Sequence, residues 1–403
     1  MSMREAWGEP YLRRFLIAKG INTWGNSIFF ISIAWVVSQS GGPTAYGYLL
    51  TAYFLGMVVD KLPRRTVALV ADLVEAGIVF VAIFCLLFSF PLVPTLLLLA
   101  FSVGAISAFS IPAENALLPD LIDENLLSEA NSIHGIIMTI AWMIGPLVGT
   151  SLLFYFNLEA CLLFDVFTFL VSAGILWTIP EIPVEREDTS GNLREEISEA
   201  ISFVRTQPWL FAGILMFMFW HFWDSMIEIG VPFLIESKDL GARSYGIFGA
   251  VGAAGAMIGS AFAGIRPVPK EKRGLVFYIF IGAIAWCMLF WAMPIPFWAV
   301  LIFVLLEGIL GGFLMVIWRT AISDSVDQHL RGRVNSLDAV GSLIFLPIAP
   351  LLGGWLISLT NVLTTYSIAV SFMVLTTTIG LLIPSFRNFQ RNPSEKFPRV
   401  EQK

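Results

Sequence analysis

The stretch Gly145-Pro146-Leu147-Val148-Gly149 returns 204 residues later as Ala349-Pro350-Leu351-Leu352-Gly353. The similarity at this offset extends over residues 104–152 without a gap. Further pairs at the same offset are Asn131-Ser132 with Asn335-Ser336, Asp120 with Asp324, and Gly104 with Gly308. Similarity at one fixed offset indicates that a structural unit occurs twice. The sequence therefore predicts two halves with the same order of helices.

The composition is typical of a membrane protein. Of the 403 residues, 57% are hydrophobic and 13% are charged, and the mean hydropathy is +0.79. A soluble domain carries roughly 25% charged residues. The net charge of only −6 on an apolar chain excludes a disordered protein and a protein that binds nucleic acid. The three cysteines form neither a disulfide framework nor a metal-ligand pattern, so we expect no metal and no cofactor.

Apolar runs recur along the whole chain, and a helical span of a membrane needs about 20 residues. Twelve runs can be marked, near 12–38, 45–59, 67–90, 94–111, 131–155, 158–179, 209–235, 244–265, 274–292, 296–317, 335–359 and 362–384. We therefore predict an all-α membrane protein with twelve transmembrane helices in two pseudo-symmetric six-helix bundles. The predicted units are an N-terminal bundle (1–179), a cytoplasmic linker (180–208), a C-terminal bundle (209–384) and a cytoplasmic tail (385–403).

The linker contains a predicted amphipathic helix. Its apolar residues recur at helical spacing opposite a charged face, and they are Leu193, Ile197, Ala200, Ile201 and Val204. This pattern is typical of a helix that lies on a membrane surface. A helix that binds a partner is the alternative.

Positive charge sets the predicted orientation, because Lys and Arg concentrate in cytoplasmic loops. If both termini are cytoplasmic, the inner loops and tails hold 21 of the 24 Lys and Arg residues. The outer loops then hold two, and Lys19 lies within the first span. We therefore predict a multi-pass protein of the cell membrane, embedded in the lipid bilayer, with both termini in the cytoplasm.

The second span is unusually short. The fourteen residues 46–59 reach about 21 Å as a helix, against a hydrocarbon core of about 30 Å. Tyr46 aligns with Tyr245 at an offset of 199, whereas Arg65 aligns with Arg273 at 208, so nine residues are missing relative to the repeat. Either neighbouring helices and a thinner bilayer compensate, or the chain carries an internal deletion that impairs transport.

Residues 56–65 read Gly-Met-Val-Val-Asp-Lys-Leu-Pro-Arg-Arg. This segment resembles the signature loop between the second and third helices of the major facilitator superfamily, G-x-x-x-D-[RK]-x-G-R-[RK], and departs from it at Pro63. The resemblance implies a cytoplasmic gate that holds the two halves together when the transporter faces outward. The gate residues would be Gly56, Asp60, Lys61, Arg64 and Arg65. For the two arginines, ordinary positive-inside topology is the alternative.

Three further segments are similar to the macrolide-efflux and enterobactin-exporter branch of that superfamily. They are Gly25-Asn26, Pro119-Asp120 and residues 331–335. The resemblance implies a monomeric drug:proton antiporter that exports a hydrophobic small molecule, macrolide-like or siderophore-like, by alternating access, with a role in multidrug resistance. A proton-coupled importer of the same fold and a transport-defective sensor or scaffold are the alternatives.

Other classes lack their motifs in this sequence. The chain contains no H-E-x-x-H or G-x-S-x-G sequence, so we do not expect an enzyme. It also contains no Walker A sequence, which makes ATP an improbable energy source.

Three acidic residues lie within predicted spans, namely Asp224, Glu228 and Glu307. A charged side chain at the bilayer centre costs roughly 2.5–3.5 kcal/mol, so such a residue faces a cavity or a partner. We predict that these three include the proton-coupling carboxylate and that they attract a cationic substrate. A structural ion pair of Asp224 with Lys19 or His221 is the alternative.

A stripe of polar residues on the first span matches a stripe on the seventh. At an offset of 202, Lys19, Asn22 and Asn26 align with His221, Asp224 and Glu228, and both sets have i, i+3, i+7 spacing, which is one helix face. We predict a substrate cavity lined by Lys19, Asn22, Asn26, Trp35, His221 and Trp223. Snorkelling of Lys19 to the interface is the alternative. Relatives in the branch often carry Asp where Asn26 stands.

The repeated glycine and proline positions resemble the antiporter motif of the superfamily. We predict that Gly145, Pro146, Gly149, Pro350 and Gly353 pack closely and form an interface that rocks during transport. The expected complementary small-residue face lies on the eighth span, at Gly252, Gly255 and Gly259.

Overall fold

The computed structural model describes residues 3–56, 64–181 and 193–389, and their regular structure is helical. The α-helices are α1 (Met3–Gly8), α2 (Pro10–Gly56), α3 (Arg64–Leu87), α4 (Leu92–Asp120), α5 (Leu127–Tyr155), α6 (Leu158–Trp177), α7 (Leu193–Thr206), α8 (Pro208–Glu236), α9 (Ala242–Ile265), α10 (Arg273–Trp291), α11 (Phe297–Ser325), α12 (Gln328–Leu343), α13 (Ala349–Leu359), α14 (Val362–Leu382) and α15 (Pro384–Arg387). Two short 3-10 turns, Glu124–Leu126 and Lys270–Lys272, precede α5 and α10.

Within the described residues, ten helices are long and apolar enough to cross a membrane, namely α2–α6, α8–α11 and α14. The predicted class, an all-α membrane protein, is therefore confirmed. The number of twelve spans stays a prediction, because it requires α2 to count as two spans. It also requires α12 and the shorter apolar helix α13 to count as one.

A sharp bend divides α2 at Gly42. This glycine has φ 70° and ψ −172°, a backbone conformation that other residues rarely adopt, and Pro43 follows it without an N–H group. The part of α2 after the bend corresponds to the predicted second span. Residues 57–63 lie outside the described part of the chain, so the shortness of this span and the internal deletion stay predictions.

Each half of the bundle has its own buried apolar residues. In the first half, Phe29, Leu162 and Phe169 belong to one cluster among α2, α3, α4 and α6. In the second half, a larger cluster is built around Phe277 and Trp318. The first cluster also includes Ile229 and Ile357 of the second half, so apolar packing continues across the junction between the halves.

Close backbone contacts join the two halves, and they repeat with the sequence. A Cβ atom at Gly47 would lie 2.6 Å from the Pro350 carbonyl oxygen, and one at Gly246 would lie 2.6 Å from the Pro146 carbonyl oxygen. Gly47 aligns with Gly246 and Pro146 aligns with Pro350, so the two contacts are pseudo-symmetric. Only glycine permits helices to approach this closely.

Hydrogen bonds between the halves lie beside these glycine contacts. The hydroxyl oxygens of Tyr46 and Tyr245 are 3.0 Å apart, and those of Thr44 and Ser358 are 2.9 Å apart. We call this region the closed end of the bundle. It is the end at which α2 bends and at which α5 joins α6, α8 joins α9, and α13 joins α14.

The predicted amphipathic helix is present as α7, but its apolar face is covered by protein. Ala200, Phe203 and Val204 are buried, and α7 packs against α8 and α12. The Arg333 guanidinium lies 3.9 Å from the Glu199 carboxylate in the same contact. The expectation that this face lies on the membrane surface is therefore wrong for Ala200 and Val204, because the second half of the bundle covers them.

Replacing Gly47 with Leu tests the packing of the closed end. We expect a loss of stability of about 1–3 kcal/mol, because the new side chain meets the backbone of α13. Gly246→Leu should behave in the same way because of the pseudo-symmetry. The measurement is the thermal unfolding midpoint in detergent.

Gly77→Leu is the matched control for both substitutions, since nothing lies within 4 Å of a Cβ atom at Gly77. Equal stability of all three variants would contradict close contact at the closed end.

Candidate functional site

Two groups of polar side chains lie on apolar helices, one in each half. The N-terminal polar cluster comprises Lys19, Asn22, Asn26, Asp72, Glu75 and Glu114. The C-terminal carboxyl cluster comprises Asp224, Glu228 and Glu307. A charged side chain on such helices is costly unless it meets a partner or a water-filled cavity. The contacts of each group therefore indicate what it can do.

Lys19 forms a buried ion pair. Its side-chain nitrogen lies 2.5 Å from the Glu114 carboxylate on α4, and Lys19 is only 5% exposed. The snorkelling interpretation of Lys19 is therefore wrong, because an acidic partner is available inside the bundle. The suggested pair of Lys19 with Asp224 is not formed.

The two predicted asparagines form a chain of hydrogen bonds from α2 to α3. The Asn22 side-chain amide donates to the Asp72 carboxylate at 2.7 Å, and the Asn26 amide donates to the Asn22 amide oxygen at 2.8 Å. One turn after Asp72, the Glu75 carboxylate accepts a hydrogen bond from the Ser107 hydroxyl of α4 at 3.3 Å. Three helices thus supply the N-terminal polar cluster.

Sequence reasoning missed Asp72, Glu75 and Glu114. All three lie outside the polar stripes that the repeat aligns on the first and seventh spans. The signal was present, since Asp72 and Glu75 have i, i+3 spacing on one face of an apolar run. The rule that an ionisable residue within a span marks a candidate site would have found them.

Each half carries a cavity on the side away from the closed end. The first has a volume of about 260 Å³, and its lining includes Lys19, Asn26, Glu75, Glu114, His134 and Trp142. The second has a volume of about 820 Å³, and its lining includes His221, Trp318, Arg319, Arg331, Asn335 and Asp338. The first cavity is bordered by the end of α4 and the start of α5, and the second by the end of α11 and the start of α12. These pairs of helix ends are equivalent in the repeat.

The C-terminal carboxyl cluster has no counter-charge in the described residues. Asp224 and Glu228 lie one turn apart on α8, and Asp224 is within electrostatic range of both Glu228 and Glu307 of α11. Within residues 3–56, 64–181 and 193–389, none of the three carboxyl groups forms an ion pair or a hydrogen bond. The predicted alternative of an ion pair with His221 is not formed, since the His221 Nδ1 atom lies 2.7 Å from the Phe217 carbonyl oxygen.

Glu228 lies at the junction of the two halves. It is exposed although it lies in the middle of α8, and it interacts electrostatically with Tyr46 of the first half. Tyr245 and Tyr366 of the second half interact with it as well. Glu228 therefore faces the space between the halves next to the hydroxyl groups of the closed end.

The two predicted tryptophans lie in different places. The ring of Trp35 is 5.7 Å from the Tyr245 ring, which places it at the closed end. Trp223 stacks on Phe372 of α14 at 4.6 Å with an interplanar angle of 4°. The structure therefore does not bring Trp35 and Trp223 together in one aromatic site.

Of the predicted gate residues, Asp60 and Lys61 lie outside the described residues, and so does the side chain of Arg64. Gly56 is the last residue of α2. Arg65 donates to the carbonyl oxygens of Leu176 at 3.2 Å and Trp177 at 2.8 Å, at the end of α6. Arg65 is thus tied to its own half, where a cation at a helix C-terminus is favourable.

The equivalent segment in the second half, at the start of α10, contains ion pairs between two helices. Arg273 donates to the Asp324 carboxylate at 2.7 Å, and Lys270 lies 3.4 Å from the same carboxylate. These residues join the start of α10 to the end of α11.

The glycine and proline motif has a different arrangement from the one expected. Pro146 meets Gly246 and Gly249 of α9, so the proline contacts the other half. Gly145 and Gly149 instead approach Ser27 and Ile28 of α2 in their own half. In the repeat, Pro350 contacts Gly47 across the junction, whereas Gly353 meets Met226 within its half.

The prediction that glycines of the eighth span form the face complementary to the glycine and proline motif is wrong for Gly255 and Gly259. Gly255 and Gly259 approach the backbone of α11, near Leu305 and Ile309, and do not contact α5. Periodicity alone does not fix which face of a helix meets which neighbour, and this explains the error.

Two repeated helical halves, joined at one end and carrying polar cavities toward the other, define a membrane transporter. The model of the Major Facilitator Superfamily matches residues 15–337 and 271–403, and the chain belongs to this family. The resemblance found in the sequence is therefore confirmed.

Relatives by sequence include efflux proteins. Macrolide efflux protein A of Enterococcus faecalis is 26% identical over 178 residues, which are 42% of this chain and 54% of that protein. The uncharacterized transporter YkuC of Bacillus subtilis is 26% identical over 37% of this chain and 33% of its own length. The staphyloferrin A transporter of Staphylococcus aureus is 29% identical over 26% of this chain and 27% of its own length. The match thus spans from about a quarter to about half of each relative.

Solved structures share the fold at low identity. The nucleoside transporter NupG has a TM-score of 0.70 at 13% identity and covers 92% of this chain and 98% of its own. A bacterial homologue of the iron transporter ferroportin, in an inward-facing state, has a TM-score of 0.68 at 16% identity over the same shares. At these identities the likeness shows the fold alone.

We expect the loss of stability to differ between replacement of Lys19 and replacement of Glu114. Lys19→Met should destabilise the protein by about 3–5 kcal/mol, because breaking a buried pair leaves an uncompensated charge. Glu114→Gln should cost less, because Lys19 still interacts with Asp72 and Glu75. Thermal unfolding of both single variants and of the double variant measures these costs.

Lys270→Met is the matched control, since its side chain is 62% exposed and an exposed pair contributes about 0–1 kcal/mol. A Lys19→Met variant as stable as this control would contradict the buried pair.

Proposed function

We propose that the protein is a secondary active transporter that exports a hydrophobic small molecule in exchange for protons. The observation that carries the proposal is the C-terminal carboxyl cluster. Within the described residues, three carboxyl groups on α8 and α11 lie within electrostatic range of one another and form no ion pair. A carboxyl group so placed is the kind of side chain that binds and releases protons. Asp224, Glu228 and Glu307 are the proposed proton-coupling residues.

Alternating access is supported by the way in which the halves meet. The glycine contacts and the Tyr46–Tyr245 contact close one end, while both cavities lie toward the other end. Rocking of the halves about Gly47–Pro350 and Gly246–Pro146 would open the closed end and close the other. With both termini in the cytoplasm, as the positive charges favour, the structure faces inward.

The proposed substrate is macrolide-like or siderophore-like. Two relatives carry names of this kind, and the proposal takes its substrate class from them. Support comes from the cavity of the first half, which combines the side-chain amides of Asn22 and Asn26 with the aromatic rings of Phe15, Phe30 and Trp142. Such a lining suits an amphipathic molecule with a polar or cationic group.

Everted membrane vesicles test the direction and the driving force. With a respiratory substrate to energise them, vesicles that contain the protein should accumulate radiolabelled erythromycin, and an uncoupler should abolish the accumulation. Accumulation in right-side-out vesicles instead would indicate an importer. Binding of erythromycin without accumulation in either orientation would indicate a sensor and contradict the proposal.

Neutralising the carboxyl cluster should uncouple transport. Asp224→Asn, Glu228→Gln and Glu307→Gln are each measured in the same vesicles, and at least one should lose proton-driven accumulation. Asp239→Asn is the matched control, because Asp239 is exposed in the connection between α8 and α9. Wild-type accumulation in all three variants would show that the cluster does not couple protons to transport.

A further inference from the structure

Three acidic residues in the interior of the first half have no part in the proposed coupling site. Asp72 and Glu75 lie on α3 and Asp165 lies on α6. Their exposures are 0%, 4% and 1%, so they are fully enclosed. Asp72 interacts electrostatically with both of the others. We call these three residues the inner acidic trio.

The charges that face the trio do not balance it. The neighbouring titratable groups, by helix, are Lys19 and Tyr53 on α2, Glu114 on α4 and His134 on α5. The ammonium group of Lys19 lies 2.5 Å from Glu114, so the one lysine is already paired. Leaving three further carboxylates ionised in this place would cost several kcal/mol for each.

Two oxygens of the trio have no hydrogen-bond partner in the described part of the chain. They are Oδ2 of Asp72 and Oδ1 of Asp165, and both are fully buried. The other oxygen of Asp72 accepts from Asn22. The Ser172 hydroxyl of α6 lies beside Asp72 and is the nearby donor. A protonated carboxyl group converts an acceptor oxygen into a hydroxyl donor, so a proton on Asp72 or Asp165 removes both a buried charge and an unpartnered acceptor.

The backbone is built to admit Asp165. A Cβ atom at Gly25 of α2 would lie 2.7 Å from the Asp165 Oδ1 atom and would also overlap Thr168. Gly25 lies between Asn22 and Asn26 on the same helix, so its missing side chain brings Asp165 against the N-terminal polar cluster. The unpartnered oxygen of Asp165 thus points toward the same interior as Asp72.

The trio also has a route to water. Glu75 lines the cavity of about 260 Å³ and lies one helical turn from Asp72. Glu75 is therefore the member of the trio that borders the cavity, and Asn22, which donates to Asp72, borders it as well.

We propose that Asp72, Glu75 and Asp165 form a second proton-binding site, in the half of the molecule opposite to the C-terminal carboxyl cluster. Each proton bound converts one carboxylate into a neutral acid, and no other bond changes. Hard metal cations take about six to eight oxygen ligands, whereas two unpartnered oxygens suit a proton. Occupancy by protons is independent of the proposed export, and only a role of the site in coupling rests on it.

Infrared difference spectroscopy of the full-length protein in lipid tests the occupancy. At neutral pH the wild type should show the carbonyl stretch of protonated carboxyl groups, and labelling aspartate at the carboxyl carbon should shift the aspartate part of it. Asp72→Asn and Asp165→Asn should each remove part of the aspartate component, and Glu75→Gln should remove part of the glutamate component.

Asp123→Asn is the matched control and should leave the bands unchanged, because Asp123 is exposed before α5. Asp224→Asn separates the two sites, since the bands of the trio should persist in it. Bands that are unchanged in all three trio variants would overturn the proposal. A shift of the carboxylate bands when sodium chloride replaces choline chloride would also overturn it, because a sodium ion would then occupy the site.

Erythromycin accumulation in everted vesicles keeps the two proposals apart. If the wild type fails to accumulate the drug while the trio bands behave as expected, the proposed export is wrong and the proton site stands. If the wild type accumulates the drug but the bands do not respond, the proton site is wrong and the export stands.

Discussion

The constraint on which the structure depends is the cost of a charged side chain among apolar helices. Such a group must find a partner, a cavity or a proton. The protein meets this constraint with a direct ion pair between Lys19 and Glu114 and with amide donors from Asn22 to Asp72. The C-terminal carboxyl cluster is left without a counter-charge in the described residues. Glu114 with its cation is thus a structural group, whereas acids with an unpartnered oxygen or without a counter-charge are candidate proton carriers in both halves.

The second physical feature is the symmetric closure of one end. Gly47 meets the carbonyl oxygen of Pro350, and Gly246 meets that of Pro146, so each half supplies one glycine and one proline. At these two places the helices meet through backbone atoms, which brings the two halves into close contact. The exposed Glu228 lies next to this junction, near Tyr46 and Tyr245. A change in its charge is therefore placed where it can influence the contact between the halves.

The fold class followed from the sequence because apolar runs and an ungapped repeat at residues 104–152 are properties of the chain alone. The position of Asp224 within a span also followed from the sequence, whereas its ion pair with Lys19 or His221 stayed an open alternative. Which side chains pair in the folded protein could not be predicted from the sequence alone. Asp72 and Glu75 were missed because they have no equivalents in the aligned stripes. Gly255 and Gly259 were assigned to the wrong neighbour, because the rotation of a helix about its axis depends on packing. The apolar face of α7 was expected on the membrane surface, because the sequence does not show that α8 and α12 pack against it.

The proposed movement of protons opposite to the drug is tested most directly with a pH-sensitive dye trapped in proteoliposomes. An imposed erythromycin gradient, without any initial pH difference, should drive protons in the direction opposite to the drug. The dye should report this change in wild-type liposomes and not in liposomes without protein. Drug flux at the same rate without any change in internal pH would contradict proton exchange and leave the C-terminal carboxyl cluster without its proposed role.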